Sequence, residues 1–363
     1  MLIDVIAGAR PNFIKIAPII EAIKAKKTSG YDMDYRLVHT GQHYDKKMSG
    51  DFFDQLGIPS PDVNLEVGSG TQAEQTGRIM MGYEALLLKQ LCDLCIVVGD
   101  VTSTMACSIA AKKVGNIKVA HVEGGIRSGD WTMPEEINRI VTDAITDYFF
   151  TTSAVANANL SKAGVRNEQV FFVGNTMIDT LYKQMPNFRK PEFWDELHLQ
   201  DKGYIVMTLH RPNNVDDQHG LMELIHEIVN AAHGIPVIFP VHPRTKKMLD
   251  EQLPAGLHTI DPLGYLEFNY LVQHSKAVIT DSGGITEETT VMGIPCMTLR
   301  NNTERPETCT IGTNELIGTN PKSIAPAFAQ LLSGHWKKGG IPELWDGKTA
   351  HRIAGHIADL FGL

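Results

Sequence analysis

The sequence has few cysteines, no long apolar run and no basic flank at its start. Its five cysteines include the pair Cys92 and Cys95, but no second CxxC completes a zinc site, which favours reduced thiols. No stretch approaches 18 consecutive apolar residues, the length typical of a membrane span. The acid at Asp4 is unlike the basic start of a signal peptide. We therefore expect a cytoplasmic protein without a membrane span or a bound metal.

Positive charge is also scarce. The chain has 33 lysines and arginines against 42 acidic residues, which gives a formal net charge of -9. Nucleic-acid binding requires a basic face, so this balance argues against nucleic acid as the main partner. It still allows one small anionic ligand that a few local donors hold.

The length and composition are those of a globular protein with two domains. The chain has 363 residues, of which 43% are hydrophobic and 21% charged. Two domains are more usual than one at this length, although a single large α/β domain is an alternative.

Short apolar runs rich in β-branched residues alternate with longer amphipathic segments. This alternation predicts βαβ units with parallel sheets. Predicted helices include residues 12–26, 71–91, 221–232 and 350–361. The predicted strands are residues 2–7, 35–39, 94–98, 118–122, 148–151 and 170–173, then 204–208, 236–240, 258–260, 277–280 and 295–299.

A charged segment with two prolines, residues 185–202, separates the two series of strands. We place the domain joint there. The prediction is an N-terminal Rossmann-like domain, residues 1–185, that a C-terminal helix within 350–363 completes. Residues 186–349 then form a second Rossmann-like domain.

Ligands of open α/β sheets bind beyond the carboxyl ends of the strands. After the first predicted strand, Gly8 permits a tight turn and Arg10 lies near a helix N-terminus, where anions are favoured. Lys15 follows about one turn later; the alternative is two ordinary surface charges. No GxGxxG fingerprint follows any predicted strand, so we expect no nicotinamide cofactor.

Three carboxylates stand out in the first half. Asp100 follows the third predicted strand and is also a good helix N-cap, which is the simpler interpretation of it alone. Glu123 ends an apolar strand, and the next two glycines suggest close approach to a ligand. Glu135 and Glu136 follow Pro134 and also fit an ordinary helix start.

The second half repeats the pattern. His210 and His242 each follow a predicted strand, and residues 282–284 read Ser-Gly-Gly before a helix. Backbone N–H groups at such a helix start suit a diphosphate. Glu288, about one turn in, suits ribose hydroxyls, whereas Phe268 fits either a wall for a base or the core.

The ordered set of motifs resembles one family, the non-hydrolysing UDP-N-acetylglucosamine 2-epimerases, which have the GT-B architecture. The resemblance covers nearly the whole chain. Its motifs are GARPNFIKIAP, TGQHYDKKM, VVGDVTST, HVEGGIRSGD, MPEEINR, GNTMID, TLHRP, PVHPRT, TDSGGITEE and NNTERPE.

The resemblance implies two Rossmann-like domains that face each other across a cleft holding a UDP-sugar. It also implies a homodimer, and epimerisation at C2 by elimination and re-addition of UDP, without a cofactor. The implied catalytic residues are Asp100, Glu123, Glu135 and His210. The implied substrate-binding residues are Arg10, Lys15, Phe268, Ser282, Gly283, Gly284 and Glu288.

Some positions depart from the commonest family pattern. Pro212 stands where a second arginine is common, and the segment between Asp130 and Pro134 is shorter. A 2-epimerase of a UDP-2,3-diacetamido sugar is therefore an alternative. A GT-B glycosyltransferase, a hydrolysing epimerase and a non-catalytic nucleotide-sugar sensor are the others.

Overall fold

The chain forms two units, each with its own sheet. The computed structural model describes residues 1–41, 56–115, 117–250 and 252–363, apart from the side chains of residues 10, 11, 212, 213 and 244. The first unit comprises Met1–Lys183 and Glu343–Leu363, and the second comprises Gln184–Pro342.

The first unit is a parallel sheet with described helices between most successive strands. In its described residues the sheet has seven strands in the order β3-β2-β1-β4-β5-β6-β7, all paired in parallel. The strands are β1 Leu2–Ala7, β2 Asp34–His39, β3 Val63–Asn64, β4 Leu94–Val98, β5 Lys118–Val122, β6 Tyr148–Thr151 and β7 Val170–Phe172. The helices are α1 Arg10–Thr28, α2 Gln72–Lys89, α3 Thr102–Val114, α4 Pro134–Ile145, α5 Ala154–Lys162, α6 Thr176–Gln184 and, after the second unit, α15 Thr349–Phe361.

The second unit repeats this architecture. Its described residues form a six-stranded parallel sheet in the order β10-β9-β8-β11-β12-β13. The strands are β8 Ile205–Thr208, β9 Val237–Pro240, β10 Leu257–Ile260, β11 Ala277–Thr280, β12 Cys296–Thr298 and β13 Asn314–Leu316. The helices are α7 Phe193–Glu196, α8 Pro212–Val215, α9 Gln218–Ala231, α10 Pro243–Lys246, α11 Tyr265–Gln273, α12 Gly283–Met292, α13 Pro306–Thr310 and α14 Ile324–Leu332.

Burial explains why these runs form strands. All five residues of β4 are buried, as expected for a central parallel strand that is covered on both faces. In the second unit, alternate residues of β8 serve separate cores: Ile205 and Met207 pack into one cluster and Val206 into the other. The period-two alternation thus directs neighbouring side chains to opposite faces.

The prediction of two Rossmann-like α/β domains is confirmed. Every strand predicted from the sequence is present within a residue or two of its expected bounds. The sequence prediction missed β3 and β13, which have only two and three residues. Such short runs carry no periodic pattern, so tertiary pairing alone defines them.

The C-terminal segment lies in the first unit. Asp179 in α6 accepts hydrogen bonds from the backbone N–H groups of Thr349 (3.0 Å) and Ala350 (2.7 Å), and so caps α15. Trp345, which is 1% exposed, donates from Nε1 to the carbonyl oxygen of Thr152 at 3.0 Å. These contacts attach the returning chain to the first sheet.

From the sequence we expect neither a membrane span nor a bound metal. None of the described helices is long and apolar enough to cross a membrane. Cys92 and Cys95 are buried free thiols, and burial raises the pKa of Cys92 to about 12. Within the described ranges, no group of three or more His, Cys, Asp and Glu side chains is arranged to hold a metal ion.

Gly174→Ala tests the packing of the returning chain. Gly174 has a φ of +99°, and a methyl group there would overlap the carbonyl oxygen of Leu344. Gly30 has a similar φ of +93° but open space around it, so Gly30→Ala is a matched control. The control should lose only about 1–2 kcal/mol of unfolding free energy, which is the cost of placing alanine in the left-handed conformation. We expect a clearly larger fall in the urea unfolding midpoint for Gly174→Ala; equal falls would contradict this packing.

Candidate active site

The candidate residues of the first unit follow strands at its topological switch point. The sheet order places β1 beside β4, and their following segments run to different neighbours, which is where open α/β sheets bind ligands. Asn12 joins the two strand ends. Its Oδ1 accepts from the N–H groups of Gly8 (3.2 Å) and Ala9 (3.1 Å), and its Nδ2 donates to Val98 O (3.0 Å).

Glu123 and Lys15 form an ion pair at this point. Lys15 Nζ lies 2.8 Å from the Glu123 carboxylate, and Glu123 is 4% exposed. Glu123 has a φ of +72°, a conformation that costs energy for a residue with a side chain. A methyl group on Gly99 would lie 3.6 Å from Lys15 Nζ and from Glu123 Oε2, so the pair lies beside the turn after β4. A buried, charge-paired carboxylate in a strained backbone is a marker of a functional site.

The two glycines after Glu123 pack closely against neighbouring elements of the first unit. A methyl group on Gly125, at φ +81°, would lie 2.5 Å from Ala156 O and 2.7 Å from Leu160 Cγ. One on Gly124 would lie 2.9 Å from the Phe149 ring. The close approach that these glycines permit within the unit is to α5 and β6, and their approach to a ligand stays a prediction.

Asp100 is held by an arginine rather than acting as a helix cap. Arg139 Nη2 lies 2.5 Å from Asp100 Oδ2, and Arg139 Nη1 lies 2.7 Å from Glu136 Oε2. The N-cap of α3 is Val101, and Asp100 makes no capping hydrogen bond to that helix among the described contacts. The simple capping interpretation of Asp100 is therefore wrong.

The adjacent acids of α4 have separate environments. The helix begins at Pro134, as predicted. Glu136 accepts from the N–H groups of Ser128 and Gly129, both at 2.9 Å. Burial alone would raise the pKa of Glu136, but these hydrogen bonds, with Arg139, lower it. Glu135 is half-buried, and no hydrogen bond or ion pair of its side chain is present among the described contacts.

A buried histidine joins the turns after β4 and β5. His121, fully buried, lies 2.7 Å from Asp143 Oδ1 through Nδ1 and 2.8 Å from Gly99 O through Nε2. Asp143 Oδ2 accepts from Gly125 N at 3.0 Å and pairs with Arg127 at 2.7 Å. Burial raises the pKa of Asp143, but His121 and Arg127 outweigh it and the pKa is lowered. Thus His121 links the turns that carry Asp100 and Glu123, a role no sequence pattern indicated.

In the second unit the switch point lies between β8 and β11. His210 follows β8, and its Nδ1 lies 2.6 Å from Oδ1 of Asp281, which follows β11 and is fully buried. Asp281 also accepts from Arg211 N at 2.9 Å and from Asn214 Nδ2 at 3.0 Å. Burial raises the pKa of Asp281, but His210 and these donors lower it overall. The contact with Asp281 fixes the His210 ring at Nδ1. The side chain is 59% exposed, so the other nitrogen is accessible.

The Ser-Gly-Gly turn begins α12, as predicted. Ser282 is the N-cap residue, and its side chain makes no capping hydrogen bond to the first N–H groups of the helix. Those N–H groups have no partner within the helix, so they are donors for an anion.

One turn later, Glu288 is buried and accepts from Tyr265 Oη at 2.8 Å. Burial raises the pKa of Glu288. The hydrogen bond from Tyr265 lowers this pKa and the Glu287 carboxylate raises it, and the resulting pKa is about 7. Phe268 lies on the same helix as Tyr265 and is partly buried against the core.

Part of the predicted site lies outside the described residues. Arg10 begins α1, but its side chain is not described. The TGQHYDKKM motif falls largely on residues 42–48, which are likewise outside the described ranges.

Comparison with known proteins gives a consistent result. A family model described as UDP-N-acetylglucosamine 2-epimerase matches residues 24–358. A UDP-N-acetylglucosamine 2-epimerase of Methanocaldococcus jannaschii is 39% identical, over 97% of this chain and 98% of that protein. A UDP-2,3-diacetamido-2,3-dideoxy-D-glucuronate 2-epimerase of Pseudomonas aeruginosa is also 39% identical, over 99% of this chain and 100% of that protein.

The structural comparison agrees. A crystal structure of the M. jannaschii UDP-GlcNAc 2-epimerase in complex with UDP-GlcNAc and UDP superposes with a TM-score of 0.88 and 37% identity, covering 99% of this chain and 100% of that one. From the motifs, the fold and these matches, the chain belongs to the UDP-N-acetylglucosamine 2-epimerase family.

Proposed function

We propose that this protein epimerises C2 of UDP-N-acetylglucosamine to give UDP-N-acetylmannosamine, by elimination and re-addition of UDP. The observation that carries the proposal is the pairing of Asp100 and Glu123 with Arg139 and Lys15, at the ends of adjacent strands in a chain of this family. These pairs keep two carboxylates available for proton transfer close to one sheet edge.

The chemistry explains why an elimination is needed. The C2 proton of the sugar has no adjacent carbonyl, so direct removal would leave an unstabilised carbanion. If the C1–O bond to the diphosphate breaks and UDP leaves with the electron pair, loss of the C2 proton to a carboxylate gives a neutral glycal. Protonation of C2 on the opposite face and return of UDP to C1 complete the epimerisation.

We assign the leaving diphosphate to the second unit. The N–H groups at Ser282, Gly283 and Gly284 would stabilise the negative charge that develops on UDP. Glu288 would accept from the ribose hydroxyls, and Phe268 would lie beside the uracil. The remaining proposed contacts with the substrate are Arg10, Lys15 and His210.

We assign the C2 proton to the carboxylates of the first unit. Asp100 and Glu123 lie after β4 and β5, next to Gly99, and Glu135 begins α4. General acid–base catalysis requires one group to remove the proton and another to return it from the other side. Lys15 lies beside Glu123 and Arg139 beside Asp100, so each carboxylate has a cation as its partner. A homodimer, a cytoplasmic location and independence from NAD remain part of this proposal.

A second candidate substrate is a UDP-2,3-diacetamido sugar. The P. aeruginosa relative named for such a substrate matches this chain at the same 39% identity as the M. jannaschii protein. The elimination chemistry is identical for both sugars, which differ at C3 and, for the glucuronate that the relative is named for, also at C6.

Parallel assays with the two UDP-sugars, each without an acceptor, test the proposal. We expect UDP-N-acetylmannosamine from UDP-N-acetylglucosamine, detected by anion-exchange chromatography and NMR, with the higher kcat/KM. A higher kcat/KM for the diacetamido sugar would replace the proposed substrate but keep the reaction. Free N-acetylmannosamine would indicate a hydrolysing epimerase, and turnover only with an acceptor would indicate a glycosyltransferase.

Neutralising the first unit's carboxylates should separate turnover from UDP binding. We expect Glu123→Gln and Asp100→Asn each to lower kcat at least about 100-fold, since general acid–base catalysis typically contributes that much. Affinity for UDP, measured by calorimetry, should stay within a few-fold because the diphosphate donors belong to the other unit. Glu168→Gln, at a 66% exposed ion pair, is the control and should keep full activity. Loss of UDP binding in either variant would reassign that carboxylate.

UDP binding should depend on pH through Glu288. Its pKa of about 7 means that the side chain is protonated below that pH and ionised above it. Only the ionised form accepts hydrogen bonds from both ribose hydroxyls, so affinity should fall as the pH is lowered through 7. Glu288→Gln should flatten the profile.

Tyr265→Phe is the sharper variant for this profile. The Tyr265 hydrogen bond lowers the pKa of Glu288, so its removal should move the midpoint to higher pH. A profile that is flat in the unaltered protein, or that Tyr265→Phe leaves unmoved, would contradict this role of Glu288.

A further inference from the structure

Arg300 is a buried cation beside the Ser-Gly-Gly turn of the second unit. It follows β12, which pairs in parallel with β11, the strand before the turn. The carboxyl ends of the two strands therefore lie at one edge of the sheet. Arg300 is 4% exposed, so almost all of its side chain is removed from water.

The two terminal nitrogens of Arg300 differ in their partners. Nη2 lies 2.6 Å from Glu304 Oε2 and 3.3 Å from Asn302 Oδ1. Nη1 is buried and has no hydrogen-bond partner in the part of the chain that the structure describes. Leaving a charged donor buried and unsatisfied is costly, so such an atom points to a ligand.

Nη1 is directed at the start of α12. A methyl group built on Gly283 would lie 3.9 Å from Arg300 Nη1 and 2.7 Å from Glu304 Oε1. The Ser282 side chain does not cap the first N–H groups of α12, which lie at this same place. A guanidinium nitrogen and uncapped helix N–H groups thus lie together, and both are donors that bind phosphate oxygens.

We propose that Arg300 binds the diphosphate of the nucleotide through Nη1, while Glu304 holds Nη2 and fixes the orientation of the guanidinium. The inference rests on the proposed function, since it supplies a charged side-chain donor to the turn that binds UDP there. Arginine is suited to this arrangement because its planar group serves two anions at once. Glu304 also offsets the positive charge of Arg300 in the unliganded protein.

The test compares UDP with uridine in variants of the full chain. Arg300→Met removes the donor but breaks the ion pair of Glu304 with Arg300, so the double variant Arg300→Met/Glu304→Gln removes both charges and protects folding. We expect each to bind UDP about tenfold or more weakly, as loss of a charged hydrogen bond implies. Uridine has no phosphate, so its affinity, measured by ligand-observed NMR, should not change. A merely structural role would weaken both ligands alike.

Two further variants isolate the contribution of Arg300 and control for the loss of an arginine. Glu304→Gln keeps Arg300 and an amide oxygen that can still accept from Nη2, so the double variant should bind UDP about tenfold or more weakly than this single variant. Arg166→Met, at a 71% exposed ion pair in the first unit, is the control for loss of an arginine and should bind UDP normally.

The outcomes separate the inference from the proposed function. Binding of UDP by the double variant within twofold of the unaltered protein would overturn the inference alone. An equal loss of UDP and uridine affinity would also overturn it. If the unaltered protein binds no UDP, the proposed function fails, and the assignment of Arg300 to its diphosphate fails with it.

Discussion

A carboxylate that is taken out of water must find a cation or several N–H donors, and this requirement organises the polar residues of both units. In the first unit Glu123 pairs with Lys15, and Asp100 and Glu136 share Arg139. In the second, Asp281 holds His210 together with backbone N–H groups. Each pair joins segments distant in sequence, so the same interactions that satisfy buried charge also fix the turns that carry the candidate site.

The parallel sheets determine where these pairs occur. The strand interiors are mostly apolar, apart from buried polar residues such as Asp4 and Arg36, which pair with each other, and His121. The candidate site residues lie where the strands end. At the switch points β1/β4 and β8/β11 the following segments diverge, which leaves room for a ligand beside the strand ends. His121 adds rigidity in the first unit, because it bonds to both Asp143 and the Gly99 carbonyl. The sites thus follow from topology and charge together.

The sequence predicted the strands, the two α/β domains and the family, because hydrophobic periodicity and ordered motifs are local signals. It could not predict which acids are paired. Asp100 has the sequence context of a helix cap, but in the structure it pairs with Arg139, which is distant along the chain. The glycines after Glu123 suggested ligand access, and their close packing against α5 left no signal in the sequence. Arg300 lay within no predicted site, since only the fold brings it to Gly283. Long-range contacts between charged side chains leave no periodic trace in a sequence.

The central claim is that the C2 proton leaves the sugar and returns from solvent-exchangeable carboxylates. Proton NMR of UDP-N-acetylglucosamine incubated with the protein in D2O tests it most directly. The account predicts that the UDP-N-acetylmannosamine formed carries deuterium at C2 and little elsewhere on the ring, and that Glu123→Gln and Asp100→Asn slow this exchange together with epimerisation. Product that retains full protium at C2 would contradict elimination and re-addition, even with epimerisation established.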